Sequence, residues 1–340
     1  MTQFVKYPTG RNPGVTFSAS GKVTARGTAE IVRSKNIWSS GGFGNWSKLP
    51  LTIASNSSTG CGGGPHLLTC MDQGGIWQSK DDALTWSRVY YAGGGNMRLL
   101  GWDGTNYIID DGTYRTSPTG DSGTWTTRNA TFHGFYTGAR GILNGKVYEW
   151  NGTTLKESTN YGASWNTYTL PISVQNVGYG NGRYLCGGYQ STTIYWSDDL
   201  VTWNSVNVGV APAYEAAFAY GNGVYVAGGS YGGRNMWSED GINWVNTNGA
   251  FQIPTFIPGP NIFLSRDSNG SSTFYYYSSN GKRWQVLNMD NWVLTYITGF
   301  SSRDNSDVVY ATVGGSNTTR NWRSKGGCAP YPIIERTVTY

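Results

Sequence analysis

Cleavage of a glycosidic bond needs two carboxylates at a fixed separation, and this 340-residue chain has only 20 Asp and Glu residues. Most of them fall in turns rich in Ser, Asn and Gly, where an Asp side chain bonds the backbone two residues on. Glu215 is the exception, at the entrance of the apolar run Ala216-Ala217-Phe218-Ala219-Tyr220. A solvated rim carboxylate is its plainer reading. The two histidines, His66 and His133, are far apart, one at a turn and one near an inner strand, and make neither a metal site nor a triad. Cys61, Cys70, Cys186 and Cys328 match no zinc spacing. Cys61 and Cys70 would face each other if residues 62–69 formed the turn end of a hairpin, although buried free thiols are the commoner outcome. Gly62-Gly63-Gly64 reads as turn chemistry, and no phosphate-binding or dinucleotide fingerprint is present. No catalytic residue, metal or cofactor is therefore assigned.

The elements around these residues are set by a repeat. Trp46, Trp86, Trp125, Trp165, Trp203, Trp244 and Trp284 recur about every forty residues. The cleanest copies fit Ser-x-[Asp/Asn]-x-x-x-Trp: Ser197, Asp199 and Trp203; Ser238, Asp240 and Trp244; Ser278, Asn280 and Trp284. Ser79 to Trp86 and Ser158 to Trp165 carry one extra residue, and Ser39 to Trp46 and Ser117 to Trp125 are looser. The Asp or Asn closes the turn, Gly takes the positive φ, and the Trp opens the next strand with an indole N–H that needs a partner. These carboxylates read as structural. Upstream lie short strand signals such as Gly182-Arg183-Tyr184-Leu185-Cys186-Gly187-Gly188 and Gly223-Val224-Tyr225-Val226-Ala227-Gly228-Gly229. Before those run apolar stretches with small residues, suited to an inner strand near an axis. No helical period is sustained.

Four short strands in about forty residues is the size of one blade of a β-propeller. The expectation is an all-β, single β-propeller of seven or eight four-stranded blades, with the count leaning to eight and residues 333–338 supplying the last fourth strand. Residues 1–14, with Pro8, Gly10, Pro13 and Gly14, read as an N-terminal arm, and 15–340 as the propeller domain. The Ser-x-Asp-Gly-x-x-Trp turn resembles the Asp-box, or BNR repeat, of sialidase-like propellers. The string Tyr-Gly-Asn-Gly-x-Tyr-Val-Ala-Gly-Gly followed by Trp-Ser-x-Asp-Gly-x-x-Trp resembles repeats of phage tail and virion proteins and of bacterial surface proteins. The resemblance covers roughly residues 26–325. Such propellers serve as enzymes, lectins and assembly factors, so the resemblance implies fold more than function. A sialidase would also need an arginine triad, a tyrosine nucleophile and an Asp acid/base. The early Arg-Ile-Pro signature is absent, the nearest string being Phe256-Ile257-Pro258, and Arg98, Arg140 and Arg183 are not assigned to a triad from sequence.

Ligands of propellers usually meet the face formed by the loops entering the inner strands and joining the second and third strands. Here the first set offers Tyr91, His133, Gln175, Tyr214, Glu215, Phe251 and Trp292, and the second Trp150, Tyr189, Tyr231 and Arg266. Aromatic faces beside amides and carboxylates suit sugar rings, while packing between blades is an equal claim on any one of them. The net charge of +5 is scattered, without a basic stripe, which argues against nucleic acid. No run of eighteen apolar residues marks a membrane insertion, and the start, Met1 to Pro8, has no apolar signal region. The expected function is a non-enzymatic, virion- or tail-associated propeller that binds a host-surface saccharide and docks other tail proteins or itself as a homo-oligomer. A sialidase-like glycoside hydrolase and a cell-surface lectin or protein-interaction scaffold are the alternatives.

Overall fold

The computed structural model of the chain describes residues 2–6, 15–17, 23–25, 28–34, 46–48, 61–71, 75–93, 97–128, 139–209, 217–229, 235–247, 254–266, 275–287, 296–314, 320–324 and 334–339. All regular elements among the described residues are strands. Six antiparallel sheets follow one another along the chain. The first is Cys61–Gly62, Leu67–Met71, Gly75–Ser79 and Ser87–Tyr91; the second is Arg98–Trp102, Tyr107–Asp110, Tyr114–Ser117 and Thr126–Thr127. The third has six strands: Ala139–Leu143, Lys146–Ser158, Asn166–Gly180, Arg183–Gly188, Thr193–Ser197 and Asn204–Asn207. The fourth is Ala217–Gly221, Val224–Gly228, Met236–Ser238 and Val245–Asn246; the fifth is Thr255–Ile257, Ile262–Arg266, Tyr275–Ser278 and Gln285–Leu287. The sixth is Tyr296–Ser301, Tyr310–Gly314 and Arg320–Ser324, completed by the early strand Trp46–Lys48.

The expectation of seven or eight separate four-stranded blades is thereby corrected to six blade sheets. Two physical causes account for the difference. First, the repeats ending in Trp165 and Trp203 do not separate. Asn166–Gly180 runs through the place where the repeat ending in Trp165 was expected to give way to the next, and Lys146–Ser158 through the expected loop between second and third strands, with register shifts between Val174 and Asn176 and between Gly152 and Thr154. A bulge lets a strand turn without leaving its sheet. Second, the copies at the two ends do not each build a sheet. Trp46–Lys48 pairs with Arg320–Ser324 through Ser47 opposite Arg323. Residues 333–338 were expected to supply that strand, but the strand found there, Ile334–Thr339, pairs instead with Thr28–Ser34, which also pairs with Thr2–Lys6. Val15–Phe17 and Val23–Ala25 form a separate hairpin.

The sheets close in a circle. First strands pack on first strands around the circle except at the third sheet, where Asn166–Gly180 lies between Ala139–Leu143 and Ala217–Gly221, and Tyr296–Ser301 returns to pack on Cys61–Gly62. Glycine makes that approach close. A Cβ on Gly178 would lie 2.4 Å from Phe218, one on Gly180 2.1 Å from Tyr220, and one on Gly221 2.2 Å from Phe256. Each inner glycine is thus covered by the aromatic side chain of the following repeat, which fits the small residues seen in these runs. The core lies between sheets. Leu68, Cys70, Ile76 and Val89 meet Met97, Leu99, Tyr107 and Ile109; Leu185 and Ile194 meet Tyr225, Ala227 and Met236; Leu67 and Ala83 meet Tyr310. Full burial of each such side chain stabilises by roughly 1.5–3 kcal/mol, and the third sheet holds a further cluster of its own around Tyr148, Leu155, Leu170 and Cys186. Cys70 and Cys186 are buried free thiols, and the register sets Cys61 opposite Thr69, so Cys70 falls on the other face of its strand. The Cys61–Cys70 bridge is therefore not formed.

Candidate functional site

One face of the circle is built from the tight hairpins between first and second strands and from the Ser-Asp turns. In the cleanest turn Ser238 Oγ donates to Asp240 Oδ1 at 2.9 Å and accepts the Gly241 amide at 2.8 Å. Asp240 Oδ1 also accepts the amides of Ile242 and Asn243, both at 2.8 Å. Trp244 Nε1 donates to the carbonyl of Gly241 at 3.1 Å, so the indole finds its partner inside its own turn. The turns of Ser197, Asp199 and Trp203 and of Ser278, Asn280 and Trp284 repeat this geometry, and Ser79/Asp81/Trp86 follows it with one extra residue. Burial opposes ionisation of Asp240, but the Asn243 and Ile242 amides outweigh it and hold the carboxyl well below its usual range. The Thr202 and Val201 amides bring exposed Asp199 down to about 2. A carboxylate held this way is a fixed acceptor and a poor proton donor.

The same face carries ties between repeats. Arg183 pairs with Asp198 at 2.8 Å, stacks over Trp196, and donates to the carbonyl of Asp240 in the next turn. Asn222 donates to the carbonyl of Ser279 at 2.8 Å, and Asn106 to the hydroxyl of Tyr161 at 3.0 Å. The last sheet returns to the first in the same manner. Arg303 Nε and Ser306 Oγ donate to Asp82 Oδ1 at 2.7 and 2.8 Å, and Arg323 Nε to the Asp82 carbonyl at 2.8 Å. This face is therefore committed to closure.

The opposite face holds an open cleft of about 230 Å³, lined by Ala139, Arg140, Glu149, Trp150, Asn151, Thr154 and Lys156. It sits where the chain enters Ala139–Leu143 and where Lys146–Ser158 bends from its second-strand to its third-strand part. Arg140 is opposite Glu149 in the ladder. Its side chain is almost fully buried, ion-paired to Asp110 of the second sheet, and lies 3.4 Å from Glu149. Tyr114 Oη donates to Glu149 Oε1 at 2.6 Å. Burial, and then the Glu149 charge, push the Tyr114 phenol upward, so it stays a donor. Burial lowers Arg140, opposed by Glu149. Trp150 forms the apolar wall, packed on Gly141, and its Nε1 donates to the carbonyl of Gln175 at 3.0 Å.

Of the ligand-facing residues named from sequence, Trp150 lines this cleft, and Gln175 meets it only through the backbone carbonyl that accepts the Trp150 indole N–H. Tyr91 is half-exposed at the end of the first sheet's outer strand, with the Arg88 guanidinium 4.8 Å over its ring. Tyr189 is exposed after Arg183–Gly188. Arg266 ends the strand Ile262–Arg266, and its side chain is outside the described residues. His133, Tyr214, Glu215, Tyr231, Phe251 and Trp292 also lie outside them. Arg140 and Arg183 point to different faces and different partners, so they do not meet in one triad. His66 amide and carbonyl are both bonded to the Tyr107 hydroxyl. Among the described residues no group of three or more His, Cys, Asp or Glu is placed to hold a metal ion, and no helix is long and apolar enough to cross a membrane. Sequence reasoning missed Glu149, Tyr114, Thr154 and Lys156. The one signal for them was the Arg140-to-Trp150 hairpin, whose entry and exit ends both fall on the ligand-facing side.

No family model matches the chain, and no curated protein sequence matches it significantly. The fold recurs among solved structures. YCF48 bound to D1 peptide is 13% identical with a TM-score of 0.57, over 82% of this chain and 96% of that one. Virginiamycin B lyase from Staphylococcus aureus is 11% identical with a TM-score of 0.59, over 82% and 98%. PorZ, a surface component of the type-IX secretion system of Porphyromonas gingivalis, is 11% identical with a TM-score of 0.53, over 86% of this chain and 40% of that one. At such identities the likeness speaks for fold alone. The chain is an all-β β-propeller.

Proposed function

We propose that this propeller is a non-enzymatic interaction scaffold whose cleft beside Trp150 receives a segment of a partner protein. The observation that carries the reading is the division between the two faces. The hairpin-and-turn face spends its polar groups on ring closure, whereas the opposite face leaves a cleft with an apolar wall and charged groups of both signs. A concave site of that make-up suits binding. Its carboxylate and guanidinium are held by Tyr114 and Asp110, which favours positioning over proton transfer. A propeller of similar fold holds a peptide in the YCF48 complex. A particle-borne, receptor-binding setting is one context in which such a scaffold would act, and a saccharide is the competing ligand.

The test is a random peptide display selection against the protein, followed by affinity measurement with Thr154→Arg. Thr154 is exposed, so the longer side chain fills the cleft without disturbing the core. Selected peptides should lose at least about tenfold, or 1.4 kcal/mol, in affinity. Peptides that bind the variant unchanged, or turnover of a glycoside panel by the protein, would contradict the reading.

A further inference from the structure

The charges around the cleft are not paired one to one: Arg140 takes both carboxylates and Lys156 takes neither. Arg140 is bracketed by two carboxylates, Asp110 and Glu149. Lys156 lines the same cleft, is half-buried, and forms no ion pair with any described residue. Its ladder partner is Thr167, and the nearest pair on that face is Thr154 with Thr169, so the strand Asn166–Gly180 brings it no countercharge, while Glu149 of the same cleft is engaged by Tyr114 and Arg140. The adjacent acid, Glu157, points to the other side of the strand, where Lys146 at 3.1 Å and Tyr148 already hold it. A half-buried lysine that lines one cleft with Trp150, Asn151 and Thr154 is poised for an anion.

Building on the scaffold reading above, we propose that the cleft recognises a carboxylate on the partner peptide, either an Asp or Glu side chain or a free C-terminus, with Lys156 as its counterion. Asn151 and Thr154 supply the hydrogen bonds that orient the carboxylate. Trp150 covers the methylene groups that carry it. Glu149, engaged by Tyr114 and Arg140, sets the boundary of the site and disfavours a second acidic residue placed deeper in the cleft.

Fluorescence anisotropy with labelled hexapeptides tests this. One series carries Asp and Glu at alternate positions, one Lys and Arg, and one neither. Each is made with a free and with an amidated C-terminus, and an oligogalacturonate serves as an acidic saccharide. The acidic series should bind best, more weakly as salt is raised. Lys156→Glu should cost tenfold or more, and Lys156→Arg less than threefold, with unfolding midpoints of both variants unchanged. Retention of side-chain acidity with an amidated end identifies the side chain as the anchor; dependence on the free end identifies the terminus. Neutral peptides that bind as tightly and are lost in Thr154→Arg would overturn the carboxylate assignment and leave the peptide site standing. Absence of Thr154→Arg-sensitive binding in every peptide series would overturn both. Lys156-dependent binding of oligogalacturonate without peptide binding would overturn the peptide source.

Discussion

Replacing Asp82 by Asn should loosen the ring at its closure. Asp82 lies in the first sheet's turn, yet its partners Arg303, Ser306 and Arg323 come from the last sheet. The Asp82 backbone is at φ 56°, a conformation Asn tolerates as well as Asp, so the substitution removes the charge without adding backbone strain. Hydrogen bonds to a charged group contribute about 1.5–3 kcal/mol. The side chains of Asp82 and Arg303 are 25% and 26% exposed, so solvent screens the pair and places the loss near the lower end, about 1–2 kcal/mol. Burial works against the charge on Asp82, but the Arg303 and Ser306 bonds outweigh it and lower its pKa. A lowered carboxyl contributes stability that is complete above the unfolded value of about 3.9 and is lost as pH falls through the folded value. Urea unfolding followed by tryptophan fluorescence, in a double-mutant cycle with Arg303→Gln, should give a coupling of at least about 1 kcal/mol at pH 7. The gap between wild type and Asp82→Asn should shrink as pH falls below about 4. A coupling within about 0.3 kcal/mol of zero, or a gap insensitive to pH, would refute the closure argument.

Three further outcomes follow from the packing and the turns. Ser238→Ala strands the buried Gly241 amide and should cost about 1–2 kcal/mol in urea unfolding, whereas Asp240→Asn should cost less than about 1 kcal/mol, because Asn280 already does the same work in the next repeat. Gly180→Ala would drive a Cβ into Tyr220 and should cost about 1–3 kcal/mol by overpacking, seen as a lower thermal midpoint. Cys186 is wholly buried, and burial pushes its thiol up to about 12, so it should resist iodoacetamide at pH 8 until the protein is unfolded, as peptide mapping would show.

The parts of the architecture that were legible in the sequence are those governed by local chemistry. The Ser-x-Asp turn, its backbone acceptors and the Trp that closes it are decided within seven residues, and they read correctly at Ser197, Ser238 and Ser278. The small residues of the inner runs also read correctly, since Gly178, Gly180 and Gly221 take the aromatic of the next repeat. What did not read was decided by distant pairing. Trp46 carries the spacing of a repeat but completes the sheet of Arg320–Ser324, and nothing near it in sequence records that partner. The continuity of Lys146–Ser158 was likewise hidden, because Asn151 and Gly152 reverse the chain, bringing Glu157 back to Lys146 and Tyr148, without interrupting the sheet. At the cleft, Trp150 was legible as an aromatic at a strand exit. Glu149 and Arg140 were not, since their roles depend on Asp110 and Tyr114 from another sheet.

Hydrogen–deuterium exchange of the protein with and without a display-selected peptide tests the central claim, that the partner is received at the Trp150 cleft. The account predicts slowed exchange within residues 139–143 and 150–156, where the cleft is built. Protection confined to the closure face, at residues 103–106, 181–183 and 198–203, with the cleft unchanged, would contradict it.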